Sequence, residues 1–181
     1  MRRKTLDLLL NWVGGLLTVM LLVAGAGLMV GYSFTSSQVK SQLLEQKVFF
    51  PKSGEADYQD LVKAHHTELA GQQVLTGSQA QIFANDIIGV DTNMISGGKT
   101  YAQLSAASLA DPSNTALKNQ VELVFRGDTL RGLLLNAYAF GFIGVIALYA
   151  AIASFVLALV MLILTLLGVR HYRQGDPSDV I

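Results

Sequence analysis

The sequence predicts an all-α membrane protein in which two transmembrane helices flank a mostly helical extracytoplasmic segment, the second helix being unusually long. Three observations support this fold class. Residues 12–31 and 132–169 form two long runs without a charged residue. Basic residues border each run on the side nearer a chain terminus. The segment between the runs shows helical periodicity and no convincing strand alternation.

Composition places the apolar excess at the two ends of the chain. Hydrophobic residues make up 51% of the 181 residues and charged residues 14%, against about 25% charged residues in soluble domains. Residues 32–131 nevertheless hold eight of the 13 Lys and Arg and ten of the 13 Asp and Glu. The zero net charge leaves no basic stripe for phosphates, so nucleic acid is not expected as a partner.

The chain has no cysteine, which excludes disulfides, thiolate metal sites, Cys-ligated clusters and a thiol nucleophile. A lipid anchor on cysteine is excluded for the same reason. An exported segment of this kind must be held together by packing, by partners or by both.

The first apolar run has the 20 residues that a helix needs to cross a hydrocarbon core of about 30 Å. Residues 1–11 precede it and begin Met1-Arg2-Arg3-Lys4, a basic flank that predicts a cytoplasmic N-terminus. A cleaved signal peptide, cut near Ala24-Gly25-Ala26, is the alternative. We favour an uncleaved anchor because the apolar run continues past that site.

The second apolar run contains 38 residues, nearly twice what one crossing needs. It is either a helical hairpin or one long helix whose first turns, at 133–144, stand outside the bilayer against protein. We predict one helix, crossing the bilayer near 146–169, because no proline or Asn-Gly turn interrupts it. Residues 170–181 begin with a basic flank, so both termini are predicted to be cytoplasmic at the plasma membrane, ending in a short disordered tail at 174–181.

Neither run contains Asp, Glu, Lys, Arg or His, the groups that transporters place at membrane depth, so transport is not expected. Small residues are present instead, and Gly27 and Gly31 form a GxxxG pair. Two further four-residue repeats consist of Ala147 and Ala151, and of Ala150, Ser154 and Ala158. Small faces let helices approach closely in lipid, although glycine and alanine are common in membrane helices generally.

Short helices are predicted along residues 32–131. Residues 33–47 can continue the first helix, and the aromatic rings of Phe49 and Phe50 can pack in a small core or on a partner. A helix over 56–69 is expected next. The following helix, over 78–95 with an N-cap in Thr76-Gly77-Ser78, should bury one apolar face consisting of Phe83, Ile87, Val90 and Met94.

Gly97 and Gly98 should end that helix, and Lys99-Thr100-Tyr101 should begin a piece that runs to Asp111-Pro112. Ser113-Asn114 can cap the last helix, which leads into the second apolar run. The apolar residues here are too few for a large core. Extensions of the two spans, or another protein, must therefore cover these helices.

No catalytic arrangement is evident, so we expect neither an enzyme nor a cofactor, metal or small-molecule substrate of its own. Gly98-Lys99-Thr100 resembles the end of a phosphate-binding loop. Such a loop requires a glycine five positions before Gly98, and that position is occupied by Asn93. His65 and His66 are adjacent and would point about 100° apart on a helix. His65 and Glu68 would share a face, but two ligands do not close a metal site.

One motif links the central helices. Ala84-Asn85-Asp86-Ile87-Ile88 is followed by Gly97-Gly98-Lys99-Thr100-Tyr101-Ala102-Gln103-Leu104, and Arg126 and Arg131 then lead to the last span. With its two-span layout, the chain resembles the actinobacterial prokaryotic respiratory supercomplex association factors. The motif covers a short part of the chain and the layout most of it. The long second run and the segment around the two histidines depart from the family.

The resemblance implies a non-catalytic accessory subunit that stabilises or assembles the supercomplex of cytochrome bcc and cytochrome aa3 oxidase, whose own subunits carry the hemes and copper. Membrane lipid is the other expected partner. The alternative is a cell-envelope scaffold or sensor with an exported helical domain. The candidate partner contacts are Gly27, Gly31, Gly97, Gly98, Lys99, Tyr101, Tyr138, Gly141, Ala150 and Ser154.

Overall fold

The structure is a computed structural model that describes residues 3–174. Its elements are helix α1 (Arg3–Gln46), α2 (Tyr58–Lys63), a 3₁₀ turn (Thr67–Leu69), α3 (Gly77–Ile82), a π-helical segment (Phe83–Ile88), α4 (Gly89–Ser96), α5 (Tyr101–Ala110) and α6 (Thr115–Gln174). Within this range Phe49 and Gln73 form one isolated antiparallel bridge and no strand is present. The predicted all-α class is confirmed for these residues.

Helices α1 and α6 are long and apolar enough to cross a membrane, which indicates a membrane protein. α6 is one continuous helix of 60 residues, so the prediction of a single long helix is confirmed and the hairpin is excluded. α1 continues beyond its apolar run to Gln46, as expected. Of the tail predicted to be disordered, Gln174 ends α6, and the rest lies outside the described residues.

The chain divides into two compact units. The first, here called the paired-helix unit, comprises the described residues up to Phe34 and from Gly144 onward. The central unit is Thr35–Ile143. Each long helix contributes to both units because the divisions fall inside α1 and α6.

In the paired-helix unit, α1 and α6 pack antiparallel. Gly14 lies against Thr165, whereas Gly25, further along α1, lies against Phe155, earlier on α6. The buried positions along the seam between the helices are all small residues, which are Gly14, Thr18, Gly25, Gly144, Ala151 and Ala158. On α6 these positions are seven residues apart, the repeat of a coiled-coil seam. Large side chains such as Leu16 and Leu166 face away from it.

The central unit has a core of larger apolar side chains, which are Val39, Leu43, Phe50, Leu61, Val74, Ala80, Phe83, Ala84, Ile87 and Leu134. Val39 and Leu43 come from α1 and Leu134 from α6, so extensions of the two long helices cover the short ones. Phe50 is buried and meets the ring of Phe83 edge-on, with centroids 5.4 Å apart. Its neighbour Phe49 is half exposed.

The predicted helix over 56–69 is wrong in its middle. α2 ends early because the amide of His65 bonds to the Val62 carbonyl at 3.2 Å, and that of His66 to the Leu61 carbonyl at 2.9 Å. This closing pattern places His65 in the left-handed region, with φ at 60°. The chain then leaves the helix axis before the 3₁₀ turn. Glycine usually occupies the left-handed position at such a helix end.

The predicted helix over 78–95 is present, but its apolar face is right only in its first half. Phe83 and Ile87 are buried as predicted, whereas Met94 is 65% exposed. Thr92 and Ser96 are buried instead. The π-helical segment causes this change, because its wider turn adds one residue and rotates everything after it by about 100°.

The helices of the central unit begin at side-chain caps, two of them within the predicted cap segments 76–78 and 113–114 and one, Thr100, found in the structure. Thr76 and Thr100 each form a reciprocal capping box with the glutamine three residues later. Asn114 Oδ1 accepts a hydrogen bond from the amide of Leu117 at 3.0 Å, at the start of α6. These caps satisfy amides that have no partner in the first turn of a helix.

Candidate functional site

The turn between α4 and α5 is fixed by two glycines and a capping threonine. Gly97 and Gly98 have φ values of 60° and 76°, a region that residues with a Cβ rarely adopt. Their amides bond to the carbonyls of Met94 and Asn93, both at 3.2 Å, and so close α4. Thr100 then opens α5. The 97–101 turn is therefore a defined structure rather than a loose linker.

A polar pocket of about 250 Å³ lies beside this turn, between α4 and α6. Its polar side chains belong to Thr92, Asn93, Ser96, Lys99, Thr100, Asp128 and Arg131. α6 comes close to α4 here because Gly127 has no side chain, since a Cβ at that position would collide with Thr92. Lys99 and Tyr101, two predicted contact residues, both line the pocket.

Arg131 joins the pocket to the π-helical segment. Its Nη2 donates to Oδ1 of Asn85 at 3.0 Å, so the two parts of the sequence motif meet through α6. Its Nε is buried and has no hydrogen-bond partner among the described residues. The side chain packs over Gly89, where a Cβ would lie 3.5 Å from Nε. Arg131 thereby holds α6 against the wide turn.

Three acidic residues, Asp57, Asp60 and Asp91, are close enough to interact electrostatically. Burial raises the pKa of Asp91 above its ordinary value, and the carboxylates of Asp57 and Asp60 raise it further. Asp60 is itself buried and pairs with Lys63, whose Nζ lies 2.8 Å from Oδ1. Ionised Asp91 is therefore an electrostatic cost to the fold at neutral pH.

Exposed apolar side chains surround the 97–101 turn. We define the turn surface as Met94, Ile95, Tyr101 and Phe125, all of which are exposed. The rings of Tyr101 and Phe125 have centroids 5.7 Å apart, which joins α5 to α6 at the surface. The carbonyl of Ile95 accepts a hydrogen bond from Gln120 of α6. Apolar surface of this kind marks interaction sites when it is contiguous.

The two predicted contact residues of the 133–144 stretch lie within the central unit. Gly141 lies against Gly77, where a Cβ on either would come within 3.1 Å of the other's Cα. Tyr138 is half-buried, and its ring centroid is 5.9 Å from that of Phe142. The close approach that Gly141 permits is thus made inside this chain, to the start of α3.

The small residues of the spans divide into two sets. Ala150 and Ser154 are half-buried, next to the seam. Gly27 and Gly31 face outward, and a Cβ on either would meet no atom within 4 Å. The seam instead uses Gly14 and the seven-residue repeat of α6. Gly27 and Gly31 lie outside this seam, so their predicted contact with a partner stays a prediction.

The histidines do not form the predicted arrangement. His66, not His65, approaches Glu68, with Nδ1 3.2 Å from Oε1. A hydrogen bond from the backbone amide of Glu68 lowers the pKa of its carboxyl group, and the hydrogen bond to His66 adds to this. Between residues 3 and 174 no three acidic or histidine side chains converge as a metal site.

The chain matches no protein-family model, no curated protein and no solved structure. The resemblance to the supercomplex association factors therefore stays a prediction. The geometry itself offers a structured turn, a small polar pocket held by Arg131, and an exposed apolar turn surface.

Proposed function

We propose that this protein is a non-catalytic accessory subunit of an actinobacterial respiratory supercomplex, which it stabilises or helps to assemble. It spans the plasma membrane twice, with both termini in the cytoplasm and the central unit outside. Its partners are subunits of cytochrome bcc and cytochrome aa3 oxidase. The hemes and copper belong to those partners, and this chain contributes contact surface.

The turn surface is the observation that carries the proposal. Tyr101 and Phe125 are 41% and 54% exposed although they contact each other, and Met94 is more exposed still. Aromatic and methionine side chains are enriched in protein interfaces. The turn surface also adjoins the motif on which the family resemblance rests, since Tyr101 belongs to both.

The rigidity of the surroundings supports docking. The glycine closure of α4, the capping box of α5 and the Arg131–Asn85 hydrogen bond fix three elements around the turn surface. A pre-organised surface loses little conformational entropy on binding, so a small set of exposed anchors suffices for affinity.

The test is co-purification of the tagged full-length chain from actinobacterial membranes in mild detergent, followed by native gels and mass spectrometry. We expect cytochrome subunits in the same band, with heme absorbance. A double variant, Tyr101→Ser with Phe125→Ser, should reduce the recovered heme at least tenfold. Leu44→Ser, which changes a half-exposed apolar side chain outside the turn surface, should not. Recovery of the wild-type chain without any cytochrome would contradict the proposal.

The polar pocket is the feature on which the second candidate, a cell-envelope sensor, depends. Lys99 and Arg131 could attract a small anion, but Asp128 shares the pocket. Its volume of about 250 Å³ also lies below the roughly 300–1,000 Å³ of typical ligand sites. Phe125 does not line the pocket, so a sensor would keep its small ligand when Phe125 alone is replaced by serine, whereas the accessory subunit would lose recovered heme, which separates the two candidates.

A further inference from the structure

A second surface feature lies in the paired-helix unit, near the N-terminal end of α1 and the C-terminal end of α6. It is a groove of about 750 Å³. Its walls include Trp12, Leu16, Val19, Met20, Tyr172 and Arg173. The volume lies within the range of sites that enclose a small organic molecule. The groove contains no residue of the turn surface.

The groove combines an apolar part with one cation. Gly15 lies within the groove, and a Cβ there would meet no atom within 4 Å, so the glycine leaves open space. Leu16, Val19 and Met20 make one part apolar. Arg173 supplies a cation, and aromatic residues of the type found at membrane interfaces, Trp12 and Tyr172, accompany it.

We propose that this groove binds one anionic phospholipid, with an acyl chain along Leu16, Val19 and Met20 and the headgroup at Arg173. Charge complementarity selects this occupant. A neutral lipid would fill the apolar part without pairing the guanidinium, and an apolar helix of another protein would do the same. Basic grooves between helices at the cytoplasmic side recur as sites for anionic headgroups. The inference rests on the membrane insertion proposed above.

The experiment uses the purified full-length chain in mild detergent, mixed with palmitoyl-oleoyl phosphatidylglycerol or palmitoyl-oleoyl phosphatidylcholine. Native mass spectrometry then counts the lipids retained per chain. We expect one phosphatidylglycerol to be retained at a level at least fivefold above phosphatidylcholine, as one cation at a membrane surface predicts. Equal retention of the two lipids would overturn the proposal.

Two variants with matched controls localise the site. Gly15→Leu places a bulky side chain inside the groove and should strongly reduce retention, whereas Gly27→Leu, at an equally open glycine of α1, should not. Arg173→Gln should remove the roughly fivefold preference for phosphatidylglycerol, whereas Arg126→Gln should keep it. Phosphatidylglycerol that survives Gly15→Leu lies elsewhere, and the groove is then the wrong site.

Alkaline extraction of membranes separates this inference from the proposed insertion. A chain that stays in the extracted membranes but retains no phosphatidylglycerol contradicts only the lipid site. A chain that is released by extraction contradicts both. Capture of another protein's helix in the groove, detected by cross-linking from Gly15→Cys, would also replace the lipid as its occupant.

Discussion

The paired-helix unit and the central unit distribute their apolar side chains in opposite ways. In the first, glycine, alanine and threonine are buried in the seam while leucine and valine face outward. In the second, Leu61, Phe50 and Leu134 are buried, as in a water-soluble domain. Large apolar side chains turned outward around a small-residue seam suit lipid, which gives no hydrophobic drive for burying them. One chain thus combines a unit packed in a way that suits lipid with a unit packed in a way that suits water.

The largest expected effect comes from truncating the same residue type in both units. Leu61→Ala removes a fully buried side chain and should lower the free energy of unfolding by about 2–5 kcal/mol. Leu166→Ala removes a side chain that is 60% exposed and should change it by less than about 0.5 kcal/mol. Urea titration in micelles, followed by circular dichroism, measures both. Equal losses would break the comparison.

The seam offers the next test. A Cβ on Gly25 would lie 2.9 Å from Phe155 Cε1, so Gly25→Leu should force the helices apart at a cost of about 1–3 kcal/mol. Gly27→Leu, two residues along the same helix, meets open space and should be nearly neutral. Cross-linking between cysteines introduced at Thr18 and Met161 reports whether the helices remain paired. Unchanged cross-linking in Gly25→Leu would disprove the seam.

Capping sharpens the contrast from within the central unit. Thr100→Ala removes the hydroxyl that accepts a hydrogen bond from the amide of Gln103. The change should lower the free energy of unfolding of the central unit by about 1 kcal/mol. Thr100→Ser keeps the hydroxyl and serves as the control. Hydrogen exchange of the α5 amides should accelerate in the alanine variant alone. Equal exchange in both variants would mean that packing, not the cap, holds this helix start.

The smallest effect concerns Asp91. Because burial raises its pKa in the folded state, the folded chain binds its proton more tightly than the unfolded chain does, and stability falls as pH rises through that range. Asp91→Asn should therefore stabilise the central unit at pH 7, and the gain should vanish below the pKa of the unfolded state. Melting temperatures of both chains at acidic and neutral pH test this. A gain that is independent of pH would rule out the electrostatic cause.

Local signals were the predictable part of this fold. Thr76, Thr100 and Asn114 cap helices, and Gly97 ends one, because side-chain caps and left-handed glycines act within a few residues. The continuity of α6 was likewise predictable from the lack of any breaker in its apolar run.

Features that depend on contacts between distant residues were not predictable. His65 ends α2 without the glycine that normally signals such a stop. Gly141 meets Gly77 across 64 positions of sequence, so no spacing rule could reveal the pair. For the candidate site, the sequence pointed to the 97–101 turn, but the hydrogen bond from Arg131 to Asn85 became visible only in the folded chain.

The π-helical segment has a consequence for sequence length. Its wide turn accommodates one residue more than an α-helix would over Phe83–Ile88, and Ile87 within it and Thr92 after it are both buried. A related chain lacking one residue in this segment could close the turn to an ordinary α-helix and keep the same buried positions. A single-residue gap here in an alignment would thus lie inside a helix rather than in a loop. Residues on either side of such a gap should still be compared by the face they occupy.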